Sequence, residues 1–232
     1  MDIAIIPARG GSKRIHRKNI KLFHGLPMIS YSIKAALESK VFDAVFVSTD
    51  DQEIADIAKF YGAEIPWLRP TNLANDYATT VSVIQDAVKK LQPNLHQLDN
   101  VCCIYPAVPL IKPKFLDQGL KVFKSGNWDY LFSAMKVNSP HKYFSLGNSS
   151  KVEMLFPEFE HGRTQDLPLT YCDAGQFYWG KKDAWELGKP IFSSRSTVLE
   201  IPHGSVVDID TADDWKKAEL IFQAQKTKYV KS

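Results

Sequence analysis

Four apolar residues in succession, Ile3, Ala4, Ile5 and Ile6, stand near the start of the chain and stop at Pro7. A short apolar run that ends in a turn predicts a strand buried on both faces. Downstream, Ile29, Ile33, Ala36 and Leu37 recur at helical spacing and predict a helix over 28–39, opened by Pro27. Residues 41–48 read as a second strand. Thr49 or Asp50 then caps a helix over 52–61, and Gly62 fits its C′ position. A third short strand is expected over 63–68. Thr79 or Thr80 caps a helix to about residue 91, with Val81, Ile84 and Val88 turned inward. A buried strand at 101–105, a helix at 113–124 and a strand at 128–135 continue the series. Alternating strands and helices predict an α/β chain with a doubly wound, mostly parallel sheet, which binds ligands beyond the carboxyl ends of its strands.

From Lys136 to Cys172 this rhythm breaks. The segment is rich in Pro, Asn, Ser, Phe and His and has no clear period. An interruption of that length is usually functional or an interface arm. Phe144, Met154, Leu155, Phe156 and Phe159 make it too apolar for simple disorder. The expected organisation is an α/β domain built from 1–135 and 173–232, with 136–172 as a small lobe that shapes a second substrate's pocket and reaches a partner subunit. The sheet resumes at 173–180, followed by a short helix over 182–187 and a strand over 196–201. Thr211 caps a final helix with Ala212, Trp215, Ala218, Leu220 and Phe222 available to pack.

The first turn carries candidate chemistry. Ala8-Arg9-Gly10-Gly11-Ser12-Lys13 follows the first strand, and Arg9, Lys13, Arg14, Arg17 and Lys18 place five cations within ten residues. A glycine turn at a strand's end exposes backbone N–H groups, and with Arg and Lys beside them it suits a polyanion such as a triphosphate. The order is not that of the Walker A loop, which needs Gly-Lys-Ser/Thr, nor of the dinucleotide fingerprint, which needs a third glycine. A solvated basic loop is the plainer alternative. Near the other end stands Asp208-Ile209-Asp210. In extended backbone, residues two apart share a face, and paired carboxylates repel unless a cation joins them. Mg²⁺ accepts carboxylates together with phosphate oxygens. The alternative is one capping and one solvated Asp.

Composition narrows the field. The net charge of +3 over 232 residues is small, and much of the excess sits in the first loop, which favours a local anionic ligand over a nucleic-acid surface. Cys102, Cys103 and Cys172 lack metal-ligand spacing and read as reduced thiols, the adjacent pair pointing to opposite faces of a strand. His16, His24, His96, His141, His161 and His203 lack ligand spacing too and are expected mostly at the surface; His141 or His161 could touch a sugar. No signal-peptide pattern and no apolar run of ~18 residues is present, so the expectation is a cytoplasmic protein without a membrane span.

Ile5-Ile6-Pro7-Ala8-Arg9-Gly10-Gly11-Ser12-Lys13 with Arg17-Lys18-Asn19-Ile20 resembles the opening motif of the CMP-sugar-acid synthetases, the acylneuraminate (sialic acid) cytidylyltransferases. Val47-Ser48-Thr49-Asp50, Arg69-Pro70, Asp208-Ile209-Asp210-Thr211 and the order of elements extend the likeness over the whole chain. Within that group, Val101-Cys102-Cys103-Ile104-Tyr105-Pro106 and Cys172-Asp173-Ala174-Gly175-Gln176-Phe177-Tyr178-Trp179-Gly180 look most like the pseudaminic acid branch, which serves bacterial flagellar or surface glycans. The resemblance implies a Rossmann-like nucleotidyltransferase fold, CTP and a nonulosonic acid as substrates, Mg²⁺ as cofactor and a homodimer. It implies that Arg9, Lys13 and Lys18 hold the triphosphate with backbone contacts from Ala8, Gly10, Gly11 and Ser12. Asn19, Arg69, Ala78 and Thr80 would surround cytosine and ribose. Asp208 and Asp210 would bind the metal, with Asp208 nearest the attacking hydroxyl, so that Arg9, Lys18 and Asp208 carry the catalysis. Arg163 and Gln165 would meet the sugar acid, and Tyr105, Asp173, Gln176 and Phe177 would line its pocket.

The residues themselves support part of this. Arg163 suits a sugar carboxylate, though a loop salt bridge explains it equally well. Alternation puts Phe177 and Trp179 on one face, expected to be core. Where sialic acid enzymes read Gln-Pro-Thr-Ser-Pro-Leu-Arg, this chain reads Tyr105-Pro106-Ala107-Val108-Pro109-Leu110-Ile111, and Asp173 replaces a usual Asn. That apolar change fits a deoxygenated sugar and favours pseudaminate over N-acetylneuraminate; a CMP-N-acylneuraminate or CMP-legionaminate synthetase is the alternative within the family. A nucleotide-binding module without turnover, or a transferase using another base, is the alternative reading.

Overall fold

The computed structural model describes residues 1–93, 95, 97–137 and 140–229. β1 (Asp2–Pro7), β4 (Ala44–Ser48), β5 (Asn100–Ile104), β6 (Tyr130–Val137), β9 (Thr170–Lys181) and β10 (Ser196–Glu200) form one sheet in the order β10-β6-β9-β5-β1-β4. β1 pairs in parallel with β4 and β5, and β10 with β6, whereas β9 runs antiparallel to both β5 and β6. Among the described residues, β9 is therefore the strand reversed within an otherwise parallel sheet. The doubly wound α/β expectation holds.

Alternation along β1 explains the layers. Ala4 and Ile6 pack with α1 (Met28–Ser39), α2 (Gln52–Phe60) and α4 (Pro113–Lys124) on one face. Ile3 and Ile5 face α3 (Thr80–Leu91) and α5 (Lys182–Glu186) on the other. Cys102 and Cys103 divide the same way, one to each layer, and burial raises both thiols far above their usual pKa. α6 (Ala212–Tyr229) forms a third nucleus with the hairpin of β2 (Leu22–Phe23) and β3 (Leu26–Pro27). Phe23 lies edge-on to Tyr31, Trp215 and Phe222 there.

Some expectations need correction. Residues 63–68 do not form a strand: only Glu64 bridges to Phe46, and Pro66 lacks the N–H that would extend the ladder. α2 is capped by Asp51, whose carboxylate accepts the Ile54 N–H at 3.0 Å, and not by Thr49 or Asp50. Leu220 is exposed and contributes nothing to the α6 packing. Thr79 caps α3, and Thr211 caps α6 reciprocally with Asp214. The segment after β6 holds a small antiparallel pair, β7 (Phe144–Leu146) with β8 (Val152–Met154), and several 3₁₀ turns. His141 is buried against Phe156 and Phe159, unlike the exposed His16, His24, His161 and His203. His96 lies outside the described residues.

Candidate active site

The carboxyl ends of β1 and β5 open onto a cleft of about 590 Å³. Its floor is set by the turn after β1. The Ala8 N–H donates to the Ser48 carbonyl at 2.9 Å, so the turn starts locked to β4. The Gly10 N–H donates to Asp50 Oδ1 at 3.1 Å. A Cβ on Gly10 would lie 2.5 Å from Asp51 Oδ2, so glycine is required for the turn to approach the β4–α2 junction. Buried Asn19 donates its side-chain amide to the Arg9 carbonyl at 3.0 Å and fixes the far limb of the loop. Arg17 adopts φ +53° and is held by Asp51 and Glu53.

Arg9, Ser12, Lys13, Lys18, Asn19, Arg69, Ala78, Thr80 and Tyr105 all face this cleft, so the structure gathers them from four separate segments. Ala8 is buried beneath it, and Gly10 and Gly11 belong to the turn without lining the cavity. Arg69 is almost wholly buried. Burial pulls its pKa down while Asp50, 3.7 Å away, opposes the change. Its Nε has no hydrogen-bond partner among the described residues. A buried unpaired guanidinium N–H in a cleft is a donor held ready for a ligand. Arg14 also lines the cleft.

A second cleft of about 520 Å³ adjoins the first at Tyr105. Its lining includes Asp173, Tyr178, Asp208, Asp214 and Lys217. Tyr105 and Thr80 hydroxyls are 2.8 Å apart, and the Tyr178 hydroxyl donates to Asp173 Oδ2 at 2.5 Å. Burial and the neighbouring Tyr105 and Asp173 keep the Tyr178 phenol protonated far above neutral pH. The Gly175 N–H donates to Asp173 Oδ1 at 2.9 Å, with Gly175 at φ +59°.

The two carboxylates near the chain's end meet the basic loop because Ile209, between them, is buried with Ile15 in the α6 nucleus. Arg14 contacts Asp210 at 2.6 Å; Lys18 lies 3.6 Å from Asp210 and donates to the Ile209 carbonyl at 2.6 Å. Asp208 has no ion-pair partner among the described residues. Burial and the charge of Asp210 raise its pKa. These oxygens are hard donors of the kind Mg²⁺ takes. No group of three or more His, Cys, Asp or Glu is arranged around a metal among the described residues, so the pair would need oxygens from elsewhere to complete a shell.

Other expected residues are not brought here. Arg163 and Gln165 are exposed on the lobe, and Arg163 pairs with Asp166 at 2.6 Å. Phe177 is fully buried in the core with Leu116 and Trp179, because the β9 alternation turns it away from the cleft. Gln176 is buried too and donates to the Ser205 carbonyl at 2.5 Å. Tyr178, on the opposite face of β9 from Phe177, was legible from that same alternation. Lys217 was recoverable only through the tertiary docking of α6. Asp76, which lies in the first cleft, carried only a loop signal.

A family model described as cytidylyltransferase matches residues 3–230. A pseudaminic acid cytidylyltransferase of Campylobacter jejuni is 42% identical over 223 residues, covering 96% of each chain. A CMP-N,N'-diacetyllegionaminic acid synthase of Legionella pneumophila is 31% identical, covering 98% of this chain and 99% of its own. The fold is that of a CMP:2-keto-3-deoxy-manno-octonic acid synthetase solved with CTP, at TM-score 0.70 and 16% identity, over 97% of this chain and 99% of that one. Sequence agreement that runs from the first strand into the last helix takes in both walls of the paired clefts, and the chain belongs to the cytidylyltransferase family.

Proposed function

We propose that the chain is a pseudaminic acid cytidylyltransferase: it joins CTP to pseudaminic acid and releases CMP-pseudaminic acid and pyrophosphate. The observation that carries this reading is the pair of clefts meeting at Tyr105, one basic and one bordered by Asp208. The near-complete coverage of the Campylobacter jejuni relative supports the choice of sugar. The basic cleft takes the nucleotide, with Arg9, Lys13 and Lys18 on the phosphates and Asn19, Arg69, Ala78 and Thr80 around ribose and base. The unpartnered Arg69 Nε supplies a donor on that side. The second cleft takes the sugar acid, with Tyr105 and Asp173 on its wall.

In the transfer, the sugar's anomeric oxygen attacks the α-phosphorus, the α–β bridging bond breaks, and the hydroxyl proton is lost. The protein contributes chiefly orientation and charge neutralisation. Asp208 and Asp210 fit Mg²⁺, which when bound would offset negative charge at the α-phosphate. Asp208 stands nearest the sugar hydroxyl, and Arg9 and Lys18 stabilise the departing pyrophosphate. The exposed lobe residues Phe144, Leu146, Val152 and Leu155 suit a homodimer in which Arg163 and Gln165 reach the neighbouring subunit's sugar cleft. The reaction belongs to the cytoplasm, where CTP is made available to biosynthesis.

Coupled detection of pyrophosphate tests the reading, with CTP and a panel of pseudaminate, legionaminate, N-acetylneuraminate and the eight-carbon acid KDO. Release that needs both CTP and pseudaminate is expected. Release with another acid alone would overturn the sugar assignment, and silence across the panel would overturn the activity.

A further inference from the structure

The basic turn is already engaged within the protein. Asp76 reaches across the first cleft and bridges two of its cations: Oδ1 lies 2.6 Å from Arg9 and Oδ2 lies 2.6 Å from Lys13. Lys13 and then Arg9 lower the pKa of its carboxyl, so the bridge is ionised at neutral pH. The segment that carries Asp76 is shaped by its own hydrogen bonds. Asn75 Oδ1 accepts from the N–H groups of Tyr77 and Ala78, and its amide donates to the Asn72 carbonyl. Tyr77 is 92% exposed and lends the segment no core anchorage. Asp76 thus sits on a self-contained loop and ties it to the opposite wall.

Resting on the nucleotide assignment above, we infer that Asp76 is a specificity-determining residue: it stands in for a phosphate group on Arg9 and Lys13 and must be displaced by the incoming polyphosphate. One carboxylate engages both cations and offsets one of their two charges, so a ligand gains only what it offers beyond that carboxylate. Pyrophosphate and triphosphate bring several charged oxygens and replace both contacts. A small monoanion replaces one contact and loses the other. The same competition favours release, because Asp76 returns to Arg9 and Lys13 as pyrophosphate departs.

Calorimetric titration of the full chain and its Asp76→Asn, Asp76→Glu and Arg9→Ala variants, with pyrophosphate, CTP and cytidine in one magnesium-containing buffer, tests this. Exposed ion pairs contribute little each, so Asp76→Asn should tighten pyrophosphate and CTP about three- to tenfold. Cytidine, which has no phosphate, should bind unchanged, and Asp76→Glu should stay near the parent. Equal tightening or weakening of all three ligands would mean a general loop effect and would overturn the inference. Unaltered pyrophosphate binding in Asp76→Asn, with loss in Arg9→Ala, would overturn it and leave the nucleotide assignment standing. If the parent bound neither pyrophosphate nor CTP, both would fall together.

Discussion

Asp208 and Asp210 stand two residues apart, yet the fold treats them differently. Asp210 is met by Arg14 and Lys18, whereas Asp208 faces the second cleft with its pKa raised by burial and by Asp210. The carboxylate with no ion-pair partner among the described residues is the one expected to respond to a divalent cation. Asp208→Asn should lower turnover about 10²- to 10³-fold, the usual scale for losing one preorganised electrostatic group. Its circular dichroism and melting temperature should match the parent's. Turnover within a few-fold of the parent would remove Asp208 from the site. At this scale the chain was only partly readable. The cations of the first loop and the paired aspartates stand out by residue type and spacing, whereas Asn19 and Arg69 follow only from the family resemblance. Phe177 and Gln176 were placed by resemblance and lie in the interior, although their position on β9 already argued for burial in the case of Phe177. Asp76 escaped because its significance rests on two contacts more than sixty residues away in sequence.

The junction of β4 and α2 shows how element boundaries and site geometry share residues. Three candidate caps stand in a row, and each has a different task. Thr49 is buried and accepts the Asp51 N–H, Asp50 accepts the Gly10 N–H, and Asp51 is left to cap the helix and pair with Arg17. Asp is the better cap than Thr, and of the two aspartates Asp50 is already engaged by the Gly10 N–H. Because Arg17 and the Ile54 N–H both favour the charged form, the Asp51 pKa is depressed in the folded protein, against a smaller opposing effect of burial. A depressed carboxyl stabilises above its unfolded pKa and loses that contribution as pH falls through the folded value. Asp51→Ala should therefore cost about 1–2 kcal/mol at pH 7. The gap to the parent should narrow as pH drops below ~4, measured by urea unfolding at several pH values. A gap that widens in acid would contradict the assignment. Element types were otherwise readable where periods were clean. The exception at 63–68 turns on Pro66, whose missing N–H outweighs the apolar pattern around it.

Across the whole molecule, the sheet order and the lobe define what one chain supplies. Phe144 is 56% exposed, Leu146 66% and Leu155 54%; one such side chain is ordinary on a protein surface, but several on one small lobe suit an interface. Sedimentation of the full chain should give twice the monomer mass, and the double variant Leu146→Glu with Leu155→Glu should shift it toward the monomer. A parent that sediments as a single chain would refute the dimer and leave Arg163 and Gln165 without a sugar to meet. The layered α/β plan was legible because strands and helices alternate in order. The reversal of β9 was not, since an antiparallel member leaves the same apolar signature as a parallel one.

That reversal has an evolutionary consequence. Val137 at the end of β6 lies opposite Thr170 at the start of β9, so everything between them leaves and re-enters the sheet through two adjoining doors. The described lining of the nucleotide cleft lies at residues 7–106, apart from that stretch. Since no described residue of that stretch lines either cleft, a lineage can exchange it as one contiguous cassette while both pockets of the same chain are inherited intact.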